Sequence, residues 1–417
     1  MDKIIRRSQI LGTIHAPSSK SYAQRAIAAA LLADGETTLL NLEPCSDTRA
    51  ALSVIQSLGA SAEQIEEASY RIRGGLAPKV KTLDIGESGL STRMFTPIAA
   101  LCNMPITIKG HGSILNRPVE MMIAPLQQLG VKVKSRKGYL PLTVQGPIRG
   151  GETVVDGSVS SQFITGLLMA LPLAVADTVV SVTKLNSIPY INMTLDLLRN
   201  FGIEIGHNDY REFYIAGNQT YTPQTYSVEG DWSGASCLLV AGAVAGEIRL
   251  ENLNPLSLQA DVAIIEALSH AGAEIITDRS SVTVRKRPIR AFEFDATHCP
   301  DLFPALAALA AHCEGVSVLK GTERLTHKES NRAETIREEF GKMGVEVDLS
   351  EENVMRVTGG SVHGAEDIDS HNDHRIAMAT AVAALGAEGE TVIHDAECVA
   401  KSYPKFWDDL ESVRVGD

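Results

Sequence analysis

Six stretches of nearly unbroken apolar residues recur along the chain, each opened by a short polar cluster. Their anchors, Ser21, Ser91, Ser161, Trp232, Leu302 and His374, stand 70 to 72 residues apart. In Ala26 to Ala33 or Ala305 to Ala311, apolar residues occupy every side of a helix, a pattern that belongs inside a domain. A second set runs in step: Leu52 to Gly59, Ile123 to Gly130, Leu195 to Gly202, Ile265 to Gly272 and Ile336 to Gly344. These segments are amphipathic at helical spacing, end on Gly and pass into alternating apolar residues that read as strands. Gly after the last periodic residue stops a helix because it accepts left-handed backbone. Each period therefore predicts one buried helix, one surface helix and several short strands, and so regular a spacing means internal repetition.

Six repeats could close a ring, stack as a solenoid or form two groups of three. The chain has 417 residues, more than one hydrophobic core usually spans, and its 44% hydrophobic residues suffice for two cores. The grouped arrangement is therefore expected. No linker-like stretch rich in Pro, Ser/Gly or one sign of charge interrupts the sequence. The expected crossing points lie near Pro17-Ser18 and Glu229-Gly230, just before the first and fourth helix openings. One domain is then residues 19–229, and its partner joins residues 1–18 to residues 230–417.

Several classes of function are disfavoured. The six cysteines, Cys45, Cys102, Cys237, Cys299, Cys313 and Cys398, form no C-x-x-C pair and lie near no His at zinc spacing, so reduced thiols are expected and no metal site. Lys3, Arg6 and Arg7 precede no long apolar run, so no secretory signal is expected. The longest apolar stretches, Leu238 to Gly246 and Phe163 to Ala176, are too short or interrupted to span a bilayer. A formal net charge of −13 argues against nucleic acid or an anionic membrane as partner. The expectation is a cytoplasmic protein that grips a small anion.

The chemistry gathers at the helix openings. Lys20, Ser21 and Arg25 belong to the first, Arg93 to the second, and Ser160, Ser161 and Gln162 to the third. Asp231 belongs to the fourth, Asp301 to the fifth, and Asp373, His374 and Arg375 to the sixth. Helix N-termini offer unpaired N–H groups and partial positive charge, which suits anions. The plainer reading of each serine cluster is an N-cap. Lys328-Glu329-Ser330-Asn331-Arg332 alone reads as a solvated charge run, and Phe406 and Trp407 as core of a C-terminal amphipathic helix. Independent caps, however, do not collect so many charged groups at equivalent repeat positions.

Together these residues carry a resemblance. The order Ser18-Ser19-Lys20-Ser21 with Arg25, Asn116-Arg117-Pro118, Gly157-Ser158-Val159-Ser160-Ser161-Gln162-Phe163, Pro189-Tyr190-Ile191, Glu229-Gly230-Asp231, Pro300-Asp301, Lys328-Glu329-Ser330 with Arg332, Asn372-Asp373-His374-Arg375 and Ala400-Lys401-Ser402 with Pro404 resembles the 5-enolpyruvylshikimate-3-phosphate synthase family. The resemblance implies a two-domain inside-out α/β barrel. Each domain has three βαβαββ repeats with buried parallel helices, and the domains close on substrate at a cleft. It also implies transfer of the enolpyruvyl group of phosphoenolpyruvate to the 5-hydroxyl of shikimate 3-phosphate through a tetrahedral intermediate. No cofactor is required, and a monomer is expected.

By the same resemblance Asp301 and Glu329 are the proton-transfer pair, with Lys20, His374 and Lys401 also catalytic. Lys20, Ser21, Arg25, Ser160, Ser161, Gln162, Ser187, Tyr190, Asp301 and Lys328 are expected to bind shikimate 3-phosphate. Lys20, Gly89, Arg117, Gln162, Arg332, Arg375 and Lys401 are expected to bind phosphoenolpyruvate. Two phosphates and two carboxylates held side by side call for such a set of cations and donors. Glu87-Ser88-Gly89-Leu90 departs from the family's Asn-Ala-Gly-Thr. Glu87 is expected to cap the helix that begins near Ser88; turned instead toward the ligand, it needs a neutralising cation such as Arg93. The related UDP-N-acetylglucosamine enolpyruvyl transferases carry Cys five residues before the Arg-Pro pair, where this chain has Gly112. A binding protein without catalysis is the more distant alternative, and the presence of Asp301, Glu329, Lys20 and Lys401 speaks against it.

Overall fold

The computed structural model describes residues 1–158, 160–326 and 328–415, so Val159 of the serine-rich motif lies outside the described residues. The six polar clusters each lead into a buried helix: Lys20–Leu32, Gly89–Ala99, Ser161–Ala170, Trp232–Ala245, Phe303–Ala311 and His374–Ala384. Five have a side-chain N-cap, in which Ser19, Ser88, Ser160, Asp231 or Asp373 accepts from a backbone N–H two or three residues on. The other is reached through the 3-10 turn Pro300–Leu302, where Pro presets the backbone.

The second helix set is Ser46–Ser57, Ile123–Gln128, Ile188–Asn200, Ile264–Ala271 and Arg332–Lys342. The five glycines that follow have φ between +78° and +125°. At Gly272, φ is +98° and the N–H donates to the carbonyl of Leu268, closing the helix where a side chain would be strained. Phe406–Ser412 is the sixth member, with Phe406 and Trp407 buried.

Each period also follows one sheet rule. The strand before a buried helix pairs in parallel with the strand after it: Thr82–Asp84 with Ile106–Lys109, Gly151–Asp156 with Thr178–Thr183, and Glu293–Asp295 with Gly315–Lys320. Antiparallel strands complete each four-stranded sheet. The first and fourth periods take their leading strand from elsewhere in the chain. Thr225–Ser227 lies parallel to Glu36–Leu40, and Gln9–His15 parallel to Gly246–Glu251. Lys3–Arg6 pairs antiparallel with Glu390–His394 of the last period. The described chain accordingly forms two compact units, Ser18–Val228 and Met1–Pro17 together with the segment from Glu229 onward.

Within each unit the apolar helices are inside and the sheets outside. Strands such as Thr82–Asp84 alternate exposed and buried residues, turning one face to the helices and one to solvent. In the Ser18–Val228 unit, Gly166 brings Ser161–Ala170 onto Gly89–Ala99; a Cβ there would lie 2.5 Å from the Arg93 carbonyl oxygen. In the other unit the helices beginning at Trp232, Phe303 and His374 pack on one another. The six cysteines are buried and free of disulfides. Among the described residues no helix is long and apolar enough to cross a membrane.

Candidate active site

In the Ser18–Val228 unit the helix openings collect cations and hydroxyls. Lys20 Nζ lies 3.2 Å from Asp47 Oδ2. Arg25 is 1% exposed. Its Nε donates to Thr194 Oγ1 (2.9 Å), Nη1 to the Ser21 carbonyl (2.8 Å), and Nη2 to Thr165 Oγ1 (3.4 Å) and the Tyr190 carbonyl (3.3 Å). All these partners are neutral, and burial pulls the guanidinium down to about 10. Ser160 caps the helix that begins at buried Ser161. Ser187 is buried in left-handed backbone with φ +59°, a conformation costly for a residue with a side chain and common where geometry serves function.

Arg93 ties Gln162 into this group: its Nη1 donates to Gln162 Oε1 (3.0 Å) and its Nη2 to the Pro118 carbonyl (3.2 Å). Arg117 follows the 3-10 turn Gly112–Asn116 and lies over Gly89, where a Cβ would come within 2.5 Å of Arg117 Nη1. Glu87 is not the cap; Ser88 is, accepting from the Ser91 N–H. Ser88 already occupies the N-cap position, so the Glu87 carboxylate turns to the neighbouring loop and accepts from the backbone N–H and hydroxyl of Ser113, both at 3.2 Å.

In the other unit the Lys328 to Arg332 stretch is not a solvated run. Arg332 is 1% exposed and ligates three carboxylates. Its Nη1 donates to Asp301 Oδ1 (2.7 Å), Nη2 to Glu329 Oε2 (2.7 Å), and Nε to Asp373 Oδ2 (2.8 Å). Lys328 Nζ also donates to Asp301 Oδ1 at 2.9 Å, and Arg375 Nη2 lies 3.6 Å from Asp301 Oδ2. Burial pushes the Asp301 carboxyl up, but Lys328, Arg375 and Arg332 together hold it well below the usual carboxylate range, so it is ionised. Burial likewise lowers the Lys328 ammonium to about 8, against the pull of Asp301.

Asp373 is wholly buried. It caps the last apolar helix through the Arg375 N–H and also accepts from Ser330 Oγ (3.1 Å). His374 is buried with Nδ1 3.8 Å from Asp373 Oδ1. Lys401 is buried in the 3-10 turn Ala396–Lys401, which Trp407 Nε1 pins by donating to the Ala396 carbonyl at 2.9 Å. In one unit Asp301, Lys328, Glu329, Arg332 and Arg375 thus meet in a single ion-pair cluster; in the other, Arg25 meets Tyr190 and the Ser21 carbonyl, and Arg93 meets Gln162. Sequence reasoning missed Asp47 beside Lys20 and the pivot role of Asp373. Asp373 stood inside a recognised motif and could have been found as a cap, whereas Asp47 lies on another element and leaves no local signal. Glu338, Glu339 and His371 also come together, but Glu339 already binds Lys342 Nζ and the Asp369 N–H.

Known proteins share both chain and architecture. The profile of the EPSP synthase (3-phosphoshikimate 1-carboxyvinyltransferase) family matches residues 4–410. The 3-phosphoshikimate 1-carboxyvinyltransferase of Clostridium novyi is 36% identical, with 97% of this chain and 96% of that one covered. Its counterpart from Methanocorpusculum labreanum is 37% identical over 99% and 98% of the two chains. The solved EPSP synthase of Acinetobacter baumannii superimposes with a TM-score of 0.83 at 25% identity, covering 99% of this chain and 98% of that one. Matched over nearly its full length by sequence and by its two-domain inside-out fold, this chain belongs to the EPSP synthase family.

Proposed function

We propose that the two clusters divide the work of one reaction between them. The chain is an enzyme, an enolpyruvyl transferase. It moves the enolpyruvyl group of phosphoenolpyruvate to the 5-hydroxyl of shikimate 3-phosphate and releases phosphate, a step of the shikimate pathway. The observation that carries the residue assignment is Arg332, a single buried guanidinium holding Asp301 and Glu329 on two of its nitrogens. Two carboxylates fixed about one cation suit a reaction that needs two proton transfers.

In the addition step the 5-oxygen bonds to C2 of phosphoenolpyruvate while C3 takes a proton. Asp301, kept ionised by its cations, accepts the hydroxyl proton, and Glu329 serves C3. In the elimination step C3 loses a proton, the C2–O bond to phosphate breaks, and the double bond returns. Lys20, Arg117 and Lys401 stabilise the departing phosphate, and His374 completes the polar wall. Arg375 and Arg332 receive the phosphoenolpyruvate carboxylate, with Gly89 and Gln162 shaping the site.

The Ser18–Val228 unit holds shikimate 3-phosphate. Ser160, Ser161 and Ser187 receive its phosphate with Tyr190, Gln162 and Lys20 nearby, and Ser21 and Arg25 receive its carboxylate. Lys328 and Asp301 are assigned to the same substrate. Arg25 supports this reading because a buried cation whose partners among the described residues are all neutral is best satisfied by an incoming anion. The enzyme acts as a cytoplasmic monomer. Gly112 disfavours the UDP-N-acetylglucosamine reading, since it stands where those transferases carry Cys. Phosphate release measured with phosphoenolpyruvate and either shikimate 3-phosphate or UDP-N-acetylglucosamine tests the assignment. Release only with the latter would overturn it.

A further inference from the structure

One buried carboxylate takes no part in the chemistry described so far. Asp261, in the 3-10 turn Ala260–Ala263, is 1% exposed. Its Oδ2 accepts from the Ser233 hydroxyl, and its Oδ1 is buried without a hydrogen-bond partner. The Ser233 carbonyl in turn accepts from Arg375 Nη1 at 3.4 Å, and Arg375 Nη2 lies 3.6 Å from Asp301 Oδ2. Among the described residues, the titratable and charged groups around Asp261 include Asp231 at the cap of Trp232–Ala245, Cys237 on that helix, Cys299 and Asp301 ahead of Phe303–Ala311, and Arg375 on His374–Ala384, while the helix Ile264–Ala271 packed against its turn carries Glu266, which interacts with the same Cys299. Arg375 is the cation of that set.

We propose that Asp261 is a positioning residue that takes up one proton when an anionic substrate docks on Arg375. The inference rests on the assignment of Arg375 to the phosphoenolpyruvate carboxylate. An ionised Asp261 competes with that carboxylate for the charge of Arg375 and leaves a charged oxygen without a hydrogen-bond donor in a buried site. Burial, and then the charge of Asp301, push the Asp261 carboxyl up to about 7, against the pull of Arg375 and the Ser233 hydrogen bond. Its proton is therefore exchangeable near neutral pH. An anion on Arg375 occupies that cation and adds negative charge, so proton affinity rises further. By linkage, raising the pH above 7 weakens anion binding.

The test is the pH dependence of KM for phosphoenolpyruvate at saturating shikimate 3-phosphate, from pH 6 to 9, in the parent and in Asp261→Asn, which mimics the neutral carboxyl. The parent KM is expected to rise above pH 7 by up to about tenfold per pH unit, the limit for one linked proton. The Asn variant is expected to lose that added slope while its kcat keeps the parent pH profile. Ionisation of the substrate appears in both curves and cancels in their comparison. A variant that keeps the parent's KM slope, or alters kcat alone, would overturn the proposal. Ser233→Ala guards against misfolding of the first variant: losing the hydroxyl donor should move the break in KM to higher pH, and an unmoved break would also overturn the idea. Arg375→Gln separates the two layers. If its KM for phosphoenolpyruvate matches the parent, the carboxylate assignment fails; if its KM rises while Asp261→Asn keeps the parent slope, only proton uptake fails.

Discussion

Arg25 and Arg332 are both almost fully buried, yet they face opposite electrostatic conditions. Burial lowers Arg25 and its hydrogen-bond partners among the described residues are neutral, whereas for Arg332 the same burial is outweighed by Asp373, Glu329 and Asp301, which raise it. Of the two, Arg25 is therefore the one whose charge its described partners leave uncompensated. Arg25→Ala is expected to cost about 1.5 to 3 kcal/mol of binding, seen as a KM for shikimate 3-phosphate roughly ten- to a hundredfold higher, with a smaller change in kcat. Glu329→Gln keeps the shape but cannot shuttle a proton, so kcat should fall by at least about a hundredfold with little change in either KM; turnover at the parent rate would remove Glu329 from the mechanism. Lys328, lowered to about 8 from 10.5, carries a pH signature. Between those values the folded chain binds fewer protons than the unfolded one, so this group's contribution to stability rises with pH across that window. Activity moves the other way. Above about pH 8 Asp301 loses its ammonium partner, and kcat/KM for shikimate 3-phosphate should show an alkaline limb there. Lys328→Arg should displace that limb upward, and a limb unmoved in the Arg variant would assign it to another group.

At the scale of elements, the helix Gly89–Ala99 and the turn Gly112–Asn116 depend on each other. Glu87 grips Ser113 on the turn, Gly112 has φ +61° and a Cβ there would displace the Glu87 carboxylate, and Arg117 leaves the turn to lie over Gly89. The carboxylate that looked like a cap is a clip on the loop that presents Arg117. Glu87→Ala and Gly112→Ala should both raise KM for phosphoenolpyruvate several-fold and leave KM for shikimate 3-phosphate within about twofold, because each releases Arg117 through the loop. Equal effects on both constants would point instead to general loosening of the Ser18–Val228 unit. Only part of this was legible in the sequence. The helix start near Ser88 follows from local capping, but which acceptor meets Ser113 depends on two segments 26 residues apart.

For the whole molecule, the borrowed strands make a sharper prediction than the repeat count. The Ser18–Val228 unit contains all its own strands, including Thr225–Ser227 alongside Glu36–Leu40. The segment from Glu229 onward lacks Gln9–His15 and Lys3–Arg6, which complete two of its sheets. Expressed alone, residues 18–228 should fold and unfold cooperatively on heating, as followed by circular dichroism, while residues 229–417 should not do so until residues 1–17 are joined back. Cooperative unfolding of residues 229–417 alone would show that the two N-terminal strands are dispensable.

The sequence by itself determined the period, the openings of the buried helices, the glycine stops and the residue types gathered at the openings. All of these depend on contacts within a few positions: an apolar stripe at helical spacing, a side chain capping an N–H two or three residues on, a left-handed turn at Gly272. Only the tertiary structure decided which strands complete the first and fourth periods. It alone turned Lys328 to Arg332 from a solvated run into a buried cation with three carboxylates, and set Asp47 and Asp261 beside groups far away in sequence. Strand pairing and buried charge are settled by partners brought together from distant parts of the chain, and their cost or benefit exists only once water has been excluded around them.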